Sequence, residues 1–431
     1  NFYSETDTEV IPNLIDYYYN GDLLEAVINA TEKLEGSFAI GVISNNEPDK
    51  LIAVKKDSPL IIGIGRNEYF IASDIPAVLS HTKDVYLLND NEFVTLSKDG
   101  IDIRTRNKEI IKKEIFHVTW DVNAAEKCGY EDFMLKEIHE QPYAIAETLR
   151  GRVEGTDRII LPELDAIHDK FKTFNKAYFV ACGTAYHACL SGANILERLT
   201  GIPTFTQVAS EFRYCDPIVD EKTMCVFVSQ SGETADTMAA LRLAKEKGCT
   251  TIAVANVLGS SISREADHTI YTCAGPEIAV ATTKAYSTQL AVVYLLTIYF
   301  GDILGTISET EYKKYLSELR LIPDKIEQIL KNKEDIQYFA SQQFDNRDIF
   351  FIGRNLDYAL SLEGSLKLKE ISYIHSEAYA AGELKHGTIS LIEDGTLVVA
   401  LATHENLFEK TMSNVVEVKS RGAVVETNAC F

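Results

Sequence analysis

The fold is decided by the stretch Cys225-Val226-Phe227-Val228-Ser229-Gln230-Ser231-Gly232-Glu233-Thr234-Ala235-Asp236-Thr237. An apolar run ends in a loop of hydroxyls, an amide and a glycine. Met238, Leu241 and Ala244 then recur at helical spacing, and Gly248 ends the pattern. The stretch therefore predicts a strand, a tight turn and the amino terminus of a helix.

The predicted loop has the chemistry of an anion site. Free backbone N–H groups and the positive end of the helix dipole favour a bound anion. Hydroxyl donors come from Ser229, Ser231 and Thr234, and Gln230 adds a side-chain amide. The loop contains no lysine or arginine, so its donors are neutral. A simpler interpretation is that Ser231 or Thr234 only caps the helix, and the stretch alone leaves both open.

Strands and helices alternate around this stretch. The predicted strands are 177–181, 224–228, 251–254 and 268–272, and the predicted helices are 185–199, 234–247 and 283–303. Apolar strands that alternate with helices favour an α/β fold with a parallel sheet covered on both faces. Ligands bind such sheets at the carboxyl ends of the strands. The loops 182–184 and 229–234 both follow strands, so we expect them at one edge, which favours the anion site.

Composition and charge limit the possible functions. The 431 residues are 46% hydrophobic and 25% charged, as in soluble proteins, and allow two or three domains. The formal charge of -22 repels nucleic acid and anionic membranes. Eight cysteines without zinc or disulfide spacing favour a reducing compartment. Apolar runs are shorter than the ~20 residues of a membrane span. We predict a cytoplasmic protein without a metal or cofactor.

The amino-terminal region differs from the rest of the chain. Short apolar runs separated by turn residues occupy 38–43, 51–54, 60–64, 69–72, 85–88 and 93–96. A helical pattern at 23–34 precedes them. Their spacing predicts an antiparallel, β-rich region.

An internal repeat follows a helical connector at 309–343. The run 178–184, a helix and the segment 209–212 are echoed by 350–354, a helix and the segment 381–384. Another apolar strand follows in each copy, so two copies of one α/β unit are the simplest interpretation. Only the first copy has the hydroxyl loop after that strand, and the predicted anion site therefore belongs to it.

The second copy contains a group of ionisable side chains. Glu363, Lys367 and Glu370 are spaced so that a helix brings all three to one face. An exposed stripe of ion pairs has the same spacing.

Two observations favour chemistry over an exposed stripe. Leu360, Leu368 and Ile371 are predicted to give the helix an apolar face that packs on the core. His386 follows in a predicted loop, and a carboxylate, a lysine and a histidine together are suited to acid–base work on a sugar.

Several long stretches resemble the glutamine–fructose-6-phosphate aminotransferase family. They are 4–9, 134–142, 229–237 and 362–387, the last of which resembles the family's isomerase signature almost letter for letter. The resemblance implies two parallel-sheet sugar isomerase (SIS) domains in tandem, preceded by the carboxyl-terminal part of an Ntn-type (α+β) glutaminase domain. The implied limits are 1–125 for the partial glutaminase domain, 126–305 for the first SIS domain, 306–345 for the connector and 346–431 for an incomplete second SIS domain.

The resemblance implies two substrates, fructose 6-phosphate and glutamine. The residues implied to hold the sugar phosphate are Thr184, Ser229, Gln230, Ser231 and Thr234. Val280 and Thr282 are implied to flank the sugar, and Asp7 resembles the carboxylate that binds the α-amino group of glutamine.

Catalytic roles are implied for four residues. Glu370 resembles the family's base, which moves a proton between C1 and C2, and Lys367 is implied to bias the charge near it. His386 resembles the histidine that assists ring opening, acting in the site of the neighbouring subunit of a homodimer. Glu363 resembles a second carboxylate near the amino-transfer centre. The implied products are glucosamine 6-phosphate and glutamate, in the first step of hexosamine (UDP-GlcNAc) synthesis.

The chain departs from the family pattern at several places. Ala185 replaces a common hydroxyl residue, and Thr282 replaces the usual serine. The chain begins with Asn1 rather than the family's nucleophilic cysteine, its first cysteine is Cys128, and the family's carboxyl-terminal lysine is absent. We therefore expect a piece of a longer enzyme, truncated at both ends, without the full activity.

Two other functions use the same paired domains. A sugar phosphate deglycase or isomerase lacks a glutaminase domain, so the segment 4–9 and the β-rich region argue against it. A non-enzymatic sugar-phosphate sensor has no use for the ionisable group together with His386. We therefore predict the aminotransferase.

Overall fold

The computed structural model describes residues 2–118, 126–153 and 155–428. The chain divides into two units, Asn1–Glu126 and Lys127–Phe431. The domain limit predicted at residue 125 lies outside the described residues.

Over residues 2–118, the first unit forms two α-helices and two antiparallel sheets. The helices are α1 (Val10–Tyr18) and α2 (Leu23–Thr31). The strands are β1 (Phe38–Ile43), β2 (Lys50–Lys56), β3 (Ile61–Ile64), β4 (Tyr69–Ala72), β5 (Asp84–Leu87), β6 (Phe93–Ser97), β7 (Gly100–Arg104) and β8 (Phe116–His117). The strand orders are β1-β2-β6-β7 and β4-β3-β5-β8, and all pairs are antiparallel. The antiparallel, β-rich prediction is confirmed, although the sequence analysis missed α1, β7 and β8.

The second unit begins with α3 (Phe133–Leu149) and continues into a five-stranded parallel sheet. Its strands are β9 (Lys176–Ala181), β10 (Thr204–Val208), β11 (Thr223–Ser229), β12 (Thr250–Ala255) and β13 (His268–Tyr271), in the order β10-β9-β11-β12-β13. Its helices are α4 (Gly183–Thr200), α5 (Ala209–Phe212), α6 (Ala235–Glu246), α7 (Ser261–Glu265) and α8 (Lys284–Leu304). All four strand pairs are parallel, as predicted.

Helices cover both faces of this sheet. Strand β11 is buried along its whole length, and its side chains alternate between two apolar clusters. Val226 and Val228 pack with residues of α4 and α8, whereas Phe227 packs with residues of α5, α6 and α7. This alternation is what a central parallel strand requires, because both of its faces are buried.

The second copy repeats the strand order of the first. After α9 (Glu309–Lys331) and α10 (Lys333–Gln343) come β14 (Asp348–Gly353), α11 (Leu356–Ser372), β15 (His375–Ala380), β16 (Leu397–Leu401), α12 (Phe408–Lys419) and β17 (Val424–Asn428). The sheet order is β15-β14-β16-β17, and all three pairs are parallel. It matches β10-β9-β11-β12 position by position, which confirms the predicted repeat.

One predicted packing face is wrong. Helix α11 leaves Leu360 and Ile371 exposed, and it buries a polar side that includes Asp357, Ser361 and Glu363. The prediction failed because apolar residues were assumed to face the core. The buried polar residues have hydrogen-bond partners instead: Asp357 accepts from the backbone N–H and the hydroxyl of Thr403.

Helix α8 is long and apolar enough to cross a membrane by length and composition, and it exceeds the apolar run on which the sequence argument rested. Two thirds of its most apolar window is buried within the protein, as in the core helix of a soluble protein. Its contacts with α3 and α4 account for that burial.

A polar cavity where the two copies of the repeat meet

The loop between β11 and α6 is built from side-chain-to-backbone hydrogen bonds. Ser229 Oγ accepts from the backbone N–H of Gly232 at 3.0 Å and lies 3.2 Å from Thr234 Oγ1. Ser231 Oγ accepts from the N–H of Glu233 at 3.2 Å. Thr234 precedes the first turn of α6 but makes no side-chain cap bond. The capping alternative is therefore wrong for Thr234, and the bond of Ser231 lies within the loop.

Gly232 is the residue that lets the loop close. Its φ of +69° is in the left-handed region, and an added Cβ would lie 2.2 Å from Ser260 Oγ. Because an L-residue is both strained in this conformation and too large for the space, glycine is required here. The backbone N–H groups that follow are thereby left at the positive end of α6, where an anion is favoured.

A cavity of about 250 Å³ opens beside this loop. Nine of the residues predicted to form the site line it: Thr184, Ser229, Gln230, Ser231, Thr234, Val280, Thr282, Lys367 and Glu370. Its other lining residues are Cys182, Ala185, Val228, Thr237 and Gln289. Two helices of the first copy, α4 and α6, begin at this cavity, and α11 of the second copy adds the charged side chains.

Glu363 lies behind the cavity wall and joins the two copies of the repeat. Its Oε1 accepts from Thr184 Oγ1 at 2.9 Å, and its Oε2 lies 2.7 Å from His187 Nδ1. Its side chain is only 5% exposed. Burial and, secondarily, the charge of Glu363 raise the pKa of Tyr286 well above its usual range. A buried carboxylate is tolerated here because it is paired and hydrogen-bonded on both oxygens.

Lys367 lies between two carboxylates. Its Nζ bonds Glu370 Oε2 and lies 3.6 Å from Glu363 Oε1. The predicted common face of the three residues is confirmed. Lys367 is only 17% exposed, whereas Glu370 is exposed, and both residues line the cavity.

Two predicted site residues lie elsewhere. His386 is exposed and ends a 3-10 helix, Ala381–His386, rather than standing in an irregular loop. It is absent from the cavity lining. Asp7 is exposed and opens a 3-10 helix, Asp7–Glu9, in the first unit.

His187 and Gln289 were not predicted from the sequence. His187 is one helical turn beyond Thr184, and its spacing from that hydroxyl was the available signal. Gln289 follows Ser287 and Thr288 in the first half of α8, and this short polar stretch does not by itself indicate a site. It is 2% exposed, and within the described residues its buried Oε1 has no hydrogen-bond partner.

Known proteins share both the sequence and the fold. Residues 170–299 and 344–426 match the SIS domain family, which confirms the predicted SIS tandem. The chain is 59% identical over 422 residues to a Clostridium tetani protein named glutamine–fructose-6-phosphate aminotransferase [isomerizing], covering 98% of this chain and 69% of that protein. A Fusobacterium nucleatum protein of the same name is 46% identical over 430 residues, covering 100% and 70%.

A solved structure supports the same relationship. The carboxyl-terminal domain of glucosamine-fructose-6-phosphate aminotransferase from Francisella tularensis superposes with a TM-score of 0.68 at 37% identity, covering 70% of this chain and 85% of that one. A phosphosugar isomerase structure from Silicibacter pomeroyi, at 24% identity and a TM-score of 0.58, shares the fold. The chain belongs to the glutamine–fructose-6-phosphate aminotransferase [isomerizing] family.

Proposed function

We propose that this chain binds fructose 6-phosphate in the cavity and takes part in its conversion, with glutamine, to glucosamine 6-phosphate and glutamate. The observation that carries the proposal is that a loop of hydroxyls before the amino terminus of α6 and a lysine held between two carboxylates border one cavity. The close relatives bear the name of this reaction. Glucosamine 6-phosphate is the product of the first step of hexosamine synthesis, and we expect the chain to act in that step.

The phosphate is held by neutral donors in this proposal. Ser229, Gln230, Ser231 and Thr234 line one side of the cavity, and Thr184 lies in the first turn of α4. Two helix amino termini add the positive ends of their dipoles. Such local donors suit a chain with a formal charge of -22, since the overall field opposes an anion.

Lys367 and Glu370, which α11 contributes to the cavity wall, supply the acid–base chemistry. Glu370 takes a proton from C1 of the open-chain ketose-derived substrate and returns it to C2, which converts the ketose skeleton to the aldose skeleton. Lys367 stabilises the negative charge that develops between these steps. Val280 and Thr282 flank the sugar, and Glu363 orients Lys367 and Thr184 from behind the wall.

The remaining roles involve groups outside this cavity. His386 is proposed to assist ring opening in the site of a second subunit, which suits its exposed position. Exposed Ile371 and Tyr373, at the end of α11, suit a homodimer contact. The first unit is proposed to be part of an Ntn-type glutaminase domain, in which Asp7 binds the α-amino group of glutamine. A cytoplasmic location stays a prediction.

Calorimetric titration with fructose 6-phosphate tests the proposal. Free fructose and inorganic phosphate are the controls. Free fructose has the sugar without the phosphate group, and inorganic phosphate has the phosphate group without the sugar. We expect the sugar phosphate to bind well above both controls. Equal, weak binding of all three ligands to a protein with a cooperative thermal transition would refute the proposed site.

Replacing Ser231 by alanine is expected to weaken fructose 6-phosphate binding by about 1–3 kcal/mol, which is the loss of one hydrogen bond to a charged acceptor. The same titration measures the effect. Ser341→Ala, at an exposed position of α10, is the matched control and is expected to bind normally. An unchanged affinity in Ser231→Ala would mean that this hydroxyl only braces the loop.

A further inference from the structure

The loop that carries Val280 and Thr282 has no regular secondary structure of its own. It runs from Glu277 to Thr282, between β13 and α8. Val280 is fully exposed, at 100%, so its own side chain gives the loop no anchoring contact. A loop of this kind needs an external anchor to hold two cavity-lining residues in one position.

Glu137 of helix α3 provides such an anchor. Its Oε1 accepts two backbone N–H bonds, from Ile278 at 2.6 Å and from Ala279 at 3.1 Å. These are the two residues immediately before Val280. Glu137 is only 2% exposed, and within the described residues its buried Oε2 has no hydrogen-bond partner. Burial raises the pKa of this carboxyl, and the two N–H bonds oppose that rise.

Neighbouring residues of α3 hold the other side of the loop. Glu140 and Gln141 lie three and four positions beyond Glu137, on the same helix face. Glu140 bonds Lys284 Nζ at 2.7 Å, and Gln141 Oε1 accepts from Ser287 Oγ at 2.5 Å. Both partners are in the first turn of α8.

Glu277 closes the base of the loop. Its Oε1 accepts from the backbone N–H groups of Thr283 at 2.9 Å and Ala285 at 3.1 Å. The loop is therefore fixed before Val280 and after Thr282, and these two residues line the cavity.

We propose that Glu137 is a positioning residue for substrate binding: through Ile278 and Ala279 it holds Val280 and Thr282 against the sugar end of the cavity. A buried carboxylate with one unpartnered oxygen costs stability, and a position that served packing alone would favour an apolar residue. The inference rests on the proposed function for the identity of the ligand. The anchor itself is a property of the loop and can be measured without a ligand.

Glu137→Ala and Glu137→Gln separate anchoring from charge. Glutamine keeps an oxygen that can accept both N–H bonds, whereas alanine removes it. We expect Glu137→Ala to weaken fructose 6-phosphate binding by about tenfold, because a loop without its two hydrogen bonds to α3 must be ordered when the ligand binds, and to leave inorganic phosphate binding unchanged. Glu137→Gln is expected to restore the affinity for the sugar phosphate. A merely structural defect would weaken both ligands, since the phosphate loop lies on β11 and α6.

Amide hydrogen exchange gives a ligand-free measurement. The N–H groups of Ile278 and Ala279 are expected to lose protection in Glu137→Ala and to keep it in Glu137→Gln. Normal protection in the alanine variant, equal loss of both ligands, or failure of glutamine to rescue would overturn the inference. A further outcome is that the wild-type chain fails to bind fructose 6-phosphate while Glu137→Ala still loses the exchange protection of Ile278 and Ala279. That result would support the role of Glu137 in holding the loop and would refute the proposed function.

Discussion

Glu370→Gln is expected to slow proton exchange at C1 and C2 of the sugar phosphate by about 10²–10⁴-fold, the usual contribution of one well-placed acid–base group. Glutamine has nearly the same shape but cannot take up the proton. Lys367 keeps its contact with Glu363 in this variant, so the cavity wall is expected to remain in place. Fructose 6-phosphate affinity should therefore change little, because the phosphate donors lie in α4, at the end of β11 and in the loop between β11 and α6.

Incorporation of deuterium from heavy water, followed by mass spectrometry, measures this step directly. The matched control is Glu409→Gln, at an exposed position of α12, which should exchange at the wild-type rate. Exchange at the normal rate in Glu370→Gln would assign the base to another group. A parallel loss of calorimetric affinity would instead indicate that the substitution had disturbed the cavity.

Phe227→Ala is expected to destabilise the second unit by about 3–5 kcal/mol, the usual cost of removing a large aromatic side chain from a packed core. Phe227 is completely buried in the centre of β11 and meets Phe212 edge to face, with ring centroids 6.3 Å apart. It is also two residues before Ser229. The cavity left by the phenyl ring would lie between α6 and the strand that leads into the proposed phosphate loop.

Urea unfolding monitored by circular dichroism measures this loss. Phe227→Leu is the conservative partner and is expected to lose less, because it keeps most of the buried carbon. Gln342→Ala, at an exposed position of α10, is the control substitution and is expected to unfold at the wild-type urea concentration. If the alanine variant unfolds at the wild-type urea concentration, the face of the sheet formed with α5, α6 and α7 contributes far less than its burial indicates.

Strong patterns in the sequence predicted most of the second unit. Strand β11 was predictable because its apolar run is followed by a turn and a helical pattern, and the repeat supplied the second sheet. The face of α11 was not predictable in this way. Its buried carboxylates are stabilised by partners distant in sequence, such as Thr403 for Asp357. The periodicity of residues along one helix contains no information about such partners.

The same limit applies to the candidate site. The hydroxyl loop and the spacing of Glu363, Lys367 and Glu370 are local patterns, and the structure brings both to one cavity. Gln289 and the anchor Glu137 each stand among other polar residues of their helices, and their importance depends on the partners that the fold brings to them. Local spacing does not single out either residue.

The hydrogen bonds by which Thr184 and His187 hold the carboxylate of Glu363 have a consequence for how this duplicated fold can change. The two copies share one strand order, but they are not interchangeable, because Lys367 and Glu370 of the second copy complete the wall of a cavity that otherwise belongs to the first. Substitutions that loosen the docking of α11 on α4 would then mimic damage to the chemistry itself, even where they touch neither substrate nor catalytic group. Activity in such variants would report the integrity of an internal interface.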